Sequence, residues 1–451
     1  MPEMRMETSR VTHVRQLLRE RKYRTLSVDL LRWHPADIAE VLEDLEPSER
    51  LLALRLLPDE VAGEVLAEME ESSAREILDD ISPERLADIL EDIQDDDAAA
   101  LLEDVPDALR EEVIALMEAE EAEDVRERLS YPENSAGRLM TADVVRLRRR
   151  WTVAETLDYL RHAAQTLGSV YYLYVVDEDD HLVGVVPLRA LVTAAPEKTI
   201  REIMTPNVVR VNVFDDQEIV ADLAAKYNFV ALPVVDSEER LVGVITIDDL
   251  VDVLEEEATE DIQRLGGSEP LGTAYFATPI RTMIRKRIGW LMLLFVGGTL
   301  TGSVIRLFED ITTQFTALTI FIPLLIGTGG NAGSQTVATV IRALALGEVE
   351  FHEIFHVVLR EATTASTIGL ILGGIAFVRA LLWHTGYEIA WVVALSLPFI
   401  TVWAAIIGAM IPLVADRLGI DPTVISGPFI STSVDATGLA IYFTIARLIL
   451  M

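Results

Sequence analysis

Apolar positions follow three different patterns along this 451-residue chain. In residues 1–135, apolar side chains recur every three or four positions, as at Ile38 and Leu42, which is typical of amphipathic helices. In residues 136–254, short runs rich in Val and Ile alternate with helical stretches. Long apolar segments fill residues 279–451. We therefore predict an all-α first domain, an α/β second domain and an all-α membrane domain.

Prolines divide the first domain, residues 1–135, into short helices. Breaks recur near Pro47, Pro58, Pro83 and Pro106. Proline close to a helix start marks the point where one helix ends and another begins. We expect an array of short helices wound into a small superhelical domain.

This first domain is strongly acidic. Glu84 and Asp88 stand four residues apart and so share one face of a helix. Asp95, Asp96 and Asp97 follow them. A solvated helix surface is the usual meaning of such a charge run, and a weak divalent-cation site is the alternative interpretation.

An internal repeat defines residues 136–254. The segment 139–147 recurs at 203–211, and the segment 175–186 recurs at 234–245. Each copy predicts strand, helix, strand, turn, strand and helix. The repeat resembles a tandem pair of cystathionine-β-synthase-type (CBS) domains, a regulatory module that often senses adenine nucleotides.

The resemblance to CBS domains implies a nucleotide site in the second copy. Thr246 and Asp249 match the Thr-x-x-Asp motif of that family, whose Asp usually holds a ribose. The first copy has Pro187 and Ala190 at the matching positions. One ATP-type site per chain would follow, with Asp249 as its main ligand.

An acidic connecting region, residues 255–278, follows the repeat. Helical spacing puts Asp252, Glu256 and Glu260 on one stripe. Like charges at this density repel one another unless cations lie between them. Because Mg²⁺ and Ca²⁺ prefer carboxylate oxygens, a cation site is one interpretation and a solvated connecting helix is the other.

The membrane domain, residues 279–451, contains five apolar segments long enough to cross a bilayer. They lie near 288–307, 315–346, 354–382, 388–414 and 422–450. Basic residues from Arg281 to Arg287 precede the first segment, so the positive-inside rule puts the acidic half in the cytoplasm and the C-terminus outside. Five helices contain no internal two-fold repeat, which favours a pore between two subunits.

Glycines and polar residues mark the second apolar segment. Pro323 and the glycines of residues 327–333 should loosen a helix at this depth. Irregular backbone is tolerated in a membrane only where it is buried in protein or lines a wet cavity. Asn331 and Ser334 favour a pore lining, and close packing of helices through small residues is the alternative.

Asp435 is a carboxylate within the fifth apolar segment. An ionised Asp at mid-membrane depth costs at least ~2.5–3.5 kcal/mol, so it should face a watery cavity or a partner charge. Arg342, Arg360 and Arg447 are the conceivable partners, but all three lie near segment ends. We expect Asp435 to line a cation pore.

Composition narrows the function further. The net charge is −35, but residues 271–451 carry ten basic and ten acidic residues, so the whole excess lies in residues 1–270. Such a surface repels phosphates, which argues against nucleic-acid binding. The chain has no Cys, which excludes disulfides and thiolate metal sites. It also shows no nucleophile–base constellation, so we do not expect an enzyme.

The order of these parts resembles the MgtE family of bacterial magnesium channels and transporters. The resemblance extends over nearly the whole chain, and its most specific motifs are Gly-Thr-Gly-Gly-Asn at 327–331, Asp421-Pro422 and Asp435-x-Thr-Gly438-Leu. It implies a homodimer in the bacterial inner membrane that conducts Mg²⁺ into the cell. Asp435 of each subunit would hold a largely hydrated Mg²⁺ at the pore entrance.

The resemblance also implies that cytosolic Mg²⁺ closes the pore by bridging acidic faces. The matching sensor carboxylates are Glu84, Asp88, Asp216, Glu218, Asp249, Asp252, Glu257, Glu260, Asp261 and Asp421. The matching pore and selectivity positions are Asp435, Gly327, Gly330, Asn331, Ser334, Gly427, Ser431 and Gly438.

Three positions depart from the family pattern. Asn228 replaces an acid, and Ser334 and Gly427 stand where the family has Asn side chains near the pore. The departures near the pore leave a broader channel for Co²⁺, Ni²⁺ or Ca²⁺ as one alternative. An ion-coupled transporter on the same scaffold is a second hypothesis. A membrane-anchored nucleotide sensor is a third hypothesis, but an anchor would not need Asp435.

Overall fold

The structure, a computed structural model, describes residues 2–103, 105–163, 172–271, 275 and 278–451. The chain forms two compact units, residues 1–257 and 258–451, which are described in turn. Residues 272–274 and 276–277 of the predicted connecting region lie outside the described residues.

The first unit begins with a run of short helices. They are α1 (Pro2–Arg19), α2 (Tyr23–Leu30), α3 (Pro35–Glu43), α4 (Pro47–Leu54), α5 (Asp59–Ala67), α6 (Glu71–Leu78), α7 (Pro83–Glu91), α8 (Asp95–Glu103), α9 (Asp107–Leu116) and α10 (Ala119–Ser130). From α3 to α10 a new helix begins every twelve residues. Helices this short depend on tertiary packing, and their apolar faces share one core that includes Ile38, Leu66 and Leu102. The predicted helical array is confirmed.

The sequence repeat folds into two three-stranded sheets. Its elements are α11 (Ala136–Leu139), β1 (Arg146–Arg148), α12 (Val153–Ala163), β2 (Tyr172–Val176), β3 (Leu182–Pro187), α13 (Leu188–Thr193), α14 (Ile200–Ile203), β4 (Val211–Asn212), α15 (Gln217–Tyr227), β5 (Ala231–Val235), β6 (Leu241–Thr246) and α16 (Ile247–Leu265). In each sheet the first strand is parallel to the second, and the second is antiparallel to the third. The predicted pair of α/β domains is confirmed.

Two glycines show how the copies interlock. A Cβ atom at Gly243 would lie 2.7 Å from Met140 Sδ, and one at Gly184 would lie 2.8 Å from Met204 Sδ. The segment that opens each copy therefore packs against the last strand of the other copy. Glycine is needed at both positions because a larger residue would push this segment away.

The last helix of the second copy, α16, is 19 residues long. The predicted boundary between the CBS pair and the connecting region, at residues 254 and 255, lies inside it. The acidic stripe and the end of the second copy are therefore parts of one helix.

The second unit is helical. It contains α17 (Ile280–Leu307), α18 (Glu309–Gln314), a 3₁₀ helix (Thr316–Phe321), α19 (Ile322–Ala345), a 3₁₀ turn (Phe351–Glu353), α20 (Ile354–Leu382), α21 (Tyr387–Arg417), a 3₁₀ turn (Pro422–Val424) and α22 (Gly427–Leu450). Among the described residues, five helical segments are long and apolar enough to cross a membrane, as predicted. α21 is the most buried of the five, whereas α17 buries none of its residues.

α19 is a regular helix, so the expectation that its glycines loosen the backbone is wrong. Pro323 stands in the first turn, where it removes no helical hydrogen bond. A Cβ atom at Gly329 would lie 2.7 Å from the side chain of Ile400, and one at Gly333 would lie 2.7 Å from that of Ile430. These glycines allow α19 to pack closely against α21 and α22, which is the alternative stated above.

Two adjacent glycines of α20 test how closely that helix packs against α21. We expect Gly373→Ala to destabilise the protein by roughly 1–3 kcal/mol because the new Cβ would overlap the carbonyl oxygen of Ala394. Gly374→Ala is the matched control, since no atom lies within 4 Å of its added Cβ. Thermal unfolding of the detergent-solubilised chain measures the difference. Equal midpoints for the two variants would show that α20 and α21 do not pack this closely.

Candidate cation sites

A group of carboxylates lies where α8 approaches the start of α16. Asp96 and Asp97 are in the first turn of α8, and Asp248 and Asp249 are in the first turn of α16. Asp96 is only 9% exposed. Asp96, Asp97 and Asp249 line one cavity of about 610 Å³, and we call these three residues the acidic cluster. The interpretation of Asp95–Asp97 as a solvated surface is therefore wrong.

Burial and mutual repulsion disfavour the ionised form of these carboxylates. Burial, followed by the charge of Asp248, raises the pKa of Asp97 to about 6. The same two causes, in the same order, raise the pKa of Asp249 to about 7. Burial and then Asp249 raise the pKa of Asp96 well above its ordinary value. A cation bound among them would reverse this effect because it favours the ionised form.

The nearby arginines are engaged elsewhere. Arg128, whose side chain is 2% exposed, lies 2.8 Å from Asp95, which also accepts a hydrogen bond from Thr141 Oγ1 at 2.9 Å. Arg138 lines the same cavity but forms an ion pair with Glu103 at 2.9 Å. The acidic cluster therefore offers carboxylate oxygens without a bound arginine, and such oxygens suit hard cations such as Mg²⁺.

Four other predicted sensor residues, Asp216, Glu218, Asp252 and Glu257, lie in the same unit. Burial raises the pKa of Asp252, one turn after Asp248 on α16. Glu257 accepts a hydrogen bond from Gln217 Nε2 at 2.8 Å. Asp216 accepts one from the backbone N–H of Glu218 at 3.0 Å and caps α15. A role in metal binding for these four predicted carboxylates stays a prediction.

Glu84 and Asp88 share an exposed face of α7, and neither lines the cavity of the acidic cluster. The carboxylates that the first domain contributes to the acidic cluster are Asp96 and Asp97, which the sequence predicts only as part of a charge run. Their position in the first turn of a helix was the available signal, since a helix N-terminus favours carboxylates.

A second group of carboxylates surrounds Arg264 near the end of α16. The Arg264 guanidinium contacts both Glu260, one turn earlier, and Asp421. Asp421 also accepts a hydrogen bond from Thr423 Oγ1 at 2.7 Å. Asp261 is the neighbour of Glu260 on the same helix. Glu260 and Asp421, two predicted sensor carboxylates, therefore share the Arg264 guanidinium, and a metal ion would have to compete with it.

The residues predicted to hold a nucleotide are bonded to each other. Thr246 Oγ1 lies 3.0 Å from the Asp249 carboxylate, and its backbone N–H donates to the same group at 3.3 Å. Because Asp249 faces Asp96 and Asp97, its surroundings repel a triphosphate. The geometry favours a cation over a nucleotide as the ligand of Asp249.

A turn in the first CBS copy brings another three metal-ligating side chains together. Ligand atoms of Asp177, Asp179 and His181 all lie within 4.8 Å of one another. Asp177 accepts hydrogen bonds from the backbone N–H groups of the other two at 3.0 Å, and these bonds account for the arrangement. The matching turn of the second copy, with Arg240 at the position of His181, has the same bonds.

Asp435 lies on α22 within the helical bundle. Its Oδ1 atom is buried and has no hydrogen-bond partner in the part of the chain that the structure describes. Of the conceivable basic partners, Arg447 lies 3.8 Å from Asp310 instead, and neither Arg342 nor Arg360 forms a described ion pair with Asp435. A buried carboxylate oxygen without a partner is costly, which favours a cation or water as its ligand.

The predicted pore positions join α19 to the start of α22. Gly330 packs directly against Ser431, where any side chain would collide with the Ser431 hydroxyl. Ser334 Oγ donates a hydrogen bond to the carbonyl of Gly427 at 3.1 Å. Ser334 and Gly427, the two departures from the family pattern near the predicted pore, are therefore in contact with each other.

The remaining predicted pore positions differ in exposure. Asn331 lies on an exposed side of α19, and a Cβ at Gly327 would meet no atom within 4 Å. Gly438 is buried beside Ile400. Sequence reasoning missed Glu361, an acid in α20 that accepts a hydrogen bond from Thr336 Oγ1 at 3.2 Å.

Family models match three parts of the chain. A model described as a divalent cation transporter matches residues 322–445, and the MgtE intracellular N domain matches residues 33–134. The CBS domain matches residues 136–197 and 200–256.

Relatives and solved structures agree with these matches. The chain is 39% identical to the magnesium transporter MgtE of Thermus thermophilus, with 99% of each chain covered. It is 33% identical to that of Bacillus subtilis, with 95% of each covered. A crystal structure of the cytosolic domain of the Mg²⁺ channel MgtE in complex with ATP covers 54% of this chain and 99% of that chain, with 40% identity and a TM-score of 0.52. The soluble part of a magnesium transporter covers 56% and 99%, with 28% identity and a TM-score of 0.52.

An unpaired carboxylate inside a bundle of apolar helices is typical of membrane proteins that move ions. The first unit adds the acidic cluster, whose carboxylates suit a hard cation. The chain belongs to the MgtE family.

The acidic cluster predicts how stability depends on pH. Because the pKa values of Asp97 and Asp249 are raised in the folded state, that state holds more protons than the unfolded chain between about pH 4 and pH 7. Without divalent cations, the unfolding midpoint should therefore fall as the pH rises through this range, by about 5 °C or more. Mg²⁺ should restore it.

Thermal unfolding of the full chain in a chelating buffer measures this dependence. Asp249→Asn should flatten the pH profile, whereas Glu84→Gln, which removes an exposed carboxylate outside the cluster, should leave it unchanged. A midpoint that rises with pH, or a profile that Asp249→Asn does not alter, would contradict the assignment.

Proposed function

We propose that this chain forms a magnesium channel that opens when cytosolic Mg²⁺ is scarce and closes when Mg²⁺ accumulates. Two observations support the proposal: the buried Oδ1 atom of Asp435, which has no hydrogen-bond partner among the described residues, and the carboxylates that the acidic cluster brings to one cavity of the first unit. Membership of a family whose relatives are named magnesium transporters supports the choice of ion.

In this proposal the pore lies between two copies of the chain. Two Asp435 carboxylates would hold one hydrated Mg²⁺, because Mg²⁺ dehydrates reluctantly and binds through one or two carboxylates and several waters. Their negative charge would exclude anions. Exposure of Asn331 on α19 is consistent with a face that meets a second copy.

The gate would work through charge neutralisation. Mg²⁺ bound to the acidic cluster would cancel the repulsion that otherwise separates α8 from α16, while Glu260 and Asp421 would form a second regulatory site. Asp421 stands six residues before Gly427, where α22 begins. Binding at Asp421 would thus act on α22, the helix that carries Asp435. It would also act on the hydrogen bond between Ser334 of α19 and Gly427 of α22.

The proposed orientation follows from charge. The basic residues Arg281–Arg287 would place the start of α17 at the cytosolic side of the bacterial inner membrane, with the acidic unit in the cytosol and the C-terminus outside. ATP would bind to the CBS pair, and the similarity to a cytosolic domain solved in complex with ATP supports this. The surroundings of Asp249 argue for a nucleotide position away from the acidic cluster.

A broader divalent-cation channel is the alternative. Ser334 and Gly427 contact each other near the predicted pore, and neither residue carries an amide side chain. With fewer fixed dipoles around the hydrated ion, discrimination between Mg²⁺ and ions such as Co²⁺ or Ni²⁺ would be weaker.

Asp435→Asn tests the pore. The variant should lower Mg²⁺ uptake by about tenfold or more because it removes the charge that attracts the cation. The assay is Mg²⁺-dependent growth and ²⁸Mg uptake in a bacterial strain that lacks other Mg²⁺ importers. Asp310→Asn is the matched control, since Asp310 lies at the end of the spans and is ion-paired with Arg447. Wild-type uptake by Asp435→Asn would overturn the pore assignment.

Arg264→Gln tests the second regulatory site. Without the Arg264 guanidinium, Mg²⁺ should bind Glu260 and Asp421 at a roughly two- to fivefold lower concentration, because the partly exposed ion pair with Asp421 is weak. The measurement is the Mg²⁺ concentration that gives half-maximal protection of the chain from trypsin. Arg264→Lys, which keeps the charge, should behave like the wild type. A higher half-protecting concentration in Arg264→Gln would show that Arg264 supports Mg²⁺ binding instead.

A further inference from the structure

The first two turns of α17 carry a basic segment, made up of Arg281, Arg285, Lys286 and Arg287. Arg281, Arg285 and Arg287 are exposed, and Lys286 is half-buried. Within the described residues, none of the four has a carboxylate within 4.0 Å. A set of four unpaired cations on one short stretch of helix is suited to an anionic ligand.

An apolar groove opens a short distance further along the same helix. It lies between α17 and α22, has a volume of about 440 Å³, and is lined by residues that include Leu293, Gly297, Leu300, Phe429 and Ala436. Because α17 buries none of its residues, the groove is open to whatever surrounds the helices.

The polar atoms that border the groove are already bonded. The hydroxyls of Thr432, Ser433 and Thr437 donate to the backbone carbonyls four residues earlier, each at 2.9 Å. Their hydrogens point into α22 and are not available to a ligand. The groove therefore offers apolar contacts alone, which suits a hydrocarbon chain and not a polar molecule.

One stripe of α17 joins the cations to the groove. It consists of Lys286, Trp290, Leu293, Gly297 and Leu300, which follow one another at three- and four-residue intervals. Lys286 lies about 10 Å before Leu293 along the helix axis. Between them Trp290 donates a hydrogen bond to Ser426 Oγ at 3.0 Å, as an aromatic residue at a membrane interface commonly does. The order from the helix start is cationic, amphipathic and then apolar.

We propose that this stripe binds an anionic phospholipid of the cytoplasmic leaflet. Arg285, Lys286 and Arg287 hold the phosphate, and an acyl chain lies in the groove between α17 and α22. The bound lipid fixes α17 against the helix that carries Asp435. It also links the membrane surface to a chain whose soluble half carries the whole net charge of −35 and would otherwise be repelled by an anionic leaflet.

Charge complementarity selects this occupant over the membrane domain of a second copy. That domain could cover the groove with apolar residues, but residues 271–451 carry ten basic and ten acidic residues and so offer no excess of negative charge to the basic segment. An anionic phospholipid supplies the negative group and the hydrocarbon chain in one molecule.

Native mass spectrometry of the full-length protein tests the proposal. The protein is taken from bilayers of phosphatidylcholine and phosphatidylglycerol in equal amounts, and the retained lipids are counted. We expect the wild type to retain phosphatidylglycerol in preference to phosphatidylcholine. Lys286→Gln should reduce this preference by about fivefold, and the triple change Arg285→Gln, Lys286→Gln, Arg287→Gln should abolish it. Arg306→Gln, at the opposite end of the same helix, should leave it unchanged.

A second pair of variants tests the groove. Leu293→Trp should fill the groove and expel the retained lipid, whereas Leu291→Trp, an exposed position of α17 outside the groove, should not. Equal retention of the two lipids by the wild type would overturn the proposal. So would a triple variant that keeps the preference. If Leu293→Trp dissociates a dimer without loss of lipid, the groove is a contact between subunits and the proposal is wrong.

Discussion

Repulsion between carboxylates that share one cavity is the constraint on which the first unit depends. Asp96, Asp97 and Asp249 share one cavity, and the arginines nearest to them are held by Asp95 and Glu103. Charges of one sign in a region of low dielectric repel strongly, so ionisation of all three opposes the contact between α8 and α16. In the function that we propose, a divalent cation would remove this opposition. The arrangement is therefore more stable when these carboxylates are protonated, and a bound metal ion would have the same effect.

In the membrane unit, the Asp435 carboxylate has a buried oxygen, which is also costly. Asp435 is held in place by close packing, because the glycines of α19 allow that helix to approach α21 and α22 without side chains between them. Rigid packing leaves the buried Oδ1 atom no means of finding a partner within the described chain. In the same unit Arg264 pairs directly with Asp421 and Glu260, so the acidic groups of this unit differ in how they are neutralised.

Most of the fold could be predicted because it follows local rules. Prolines at helix starts gave the helical array, and the internal repeat gave the paired sheets. The glycines of α19 were misread because the same residues loosen an isolated helix and tighten a packed one, and only the neighbouring side chains decide between these effects. Asp96 and Asp97 were missed for a similar reason: their partner Asp249 lies about 150 residues away, and nothing in helical spacing connects them. Arg264 was overlooked because its partner Asp421 is equally distant in sequence.

The central claim is that divalent cations, by neutralising the acidic groups of the cytosolic side, decide whether Asp435 can pass Mg²⁺. Electrical recording from patches with the cytosolic face exposed tests this most directly, as Mg²⁺ on that face is raised from a chelated solution to millimolar levels. The account predicts current in the chelated solution and its reversible loss as Mg²⁺ rises. Current that is independent of cytosolic Mg²⁺ would contradict it.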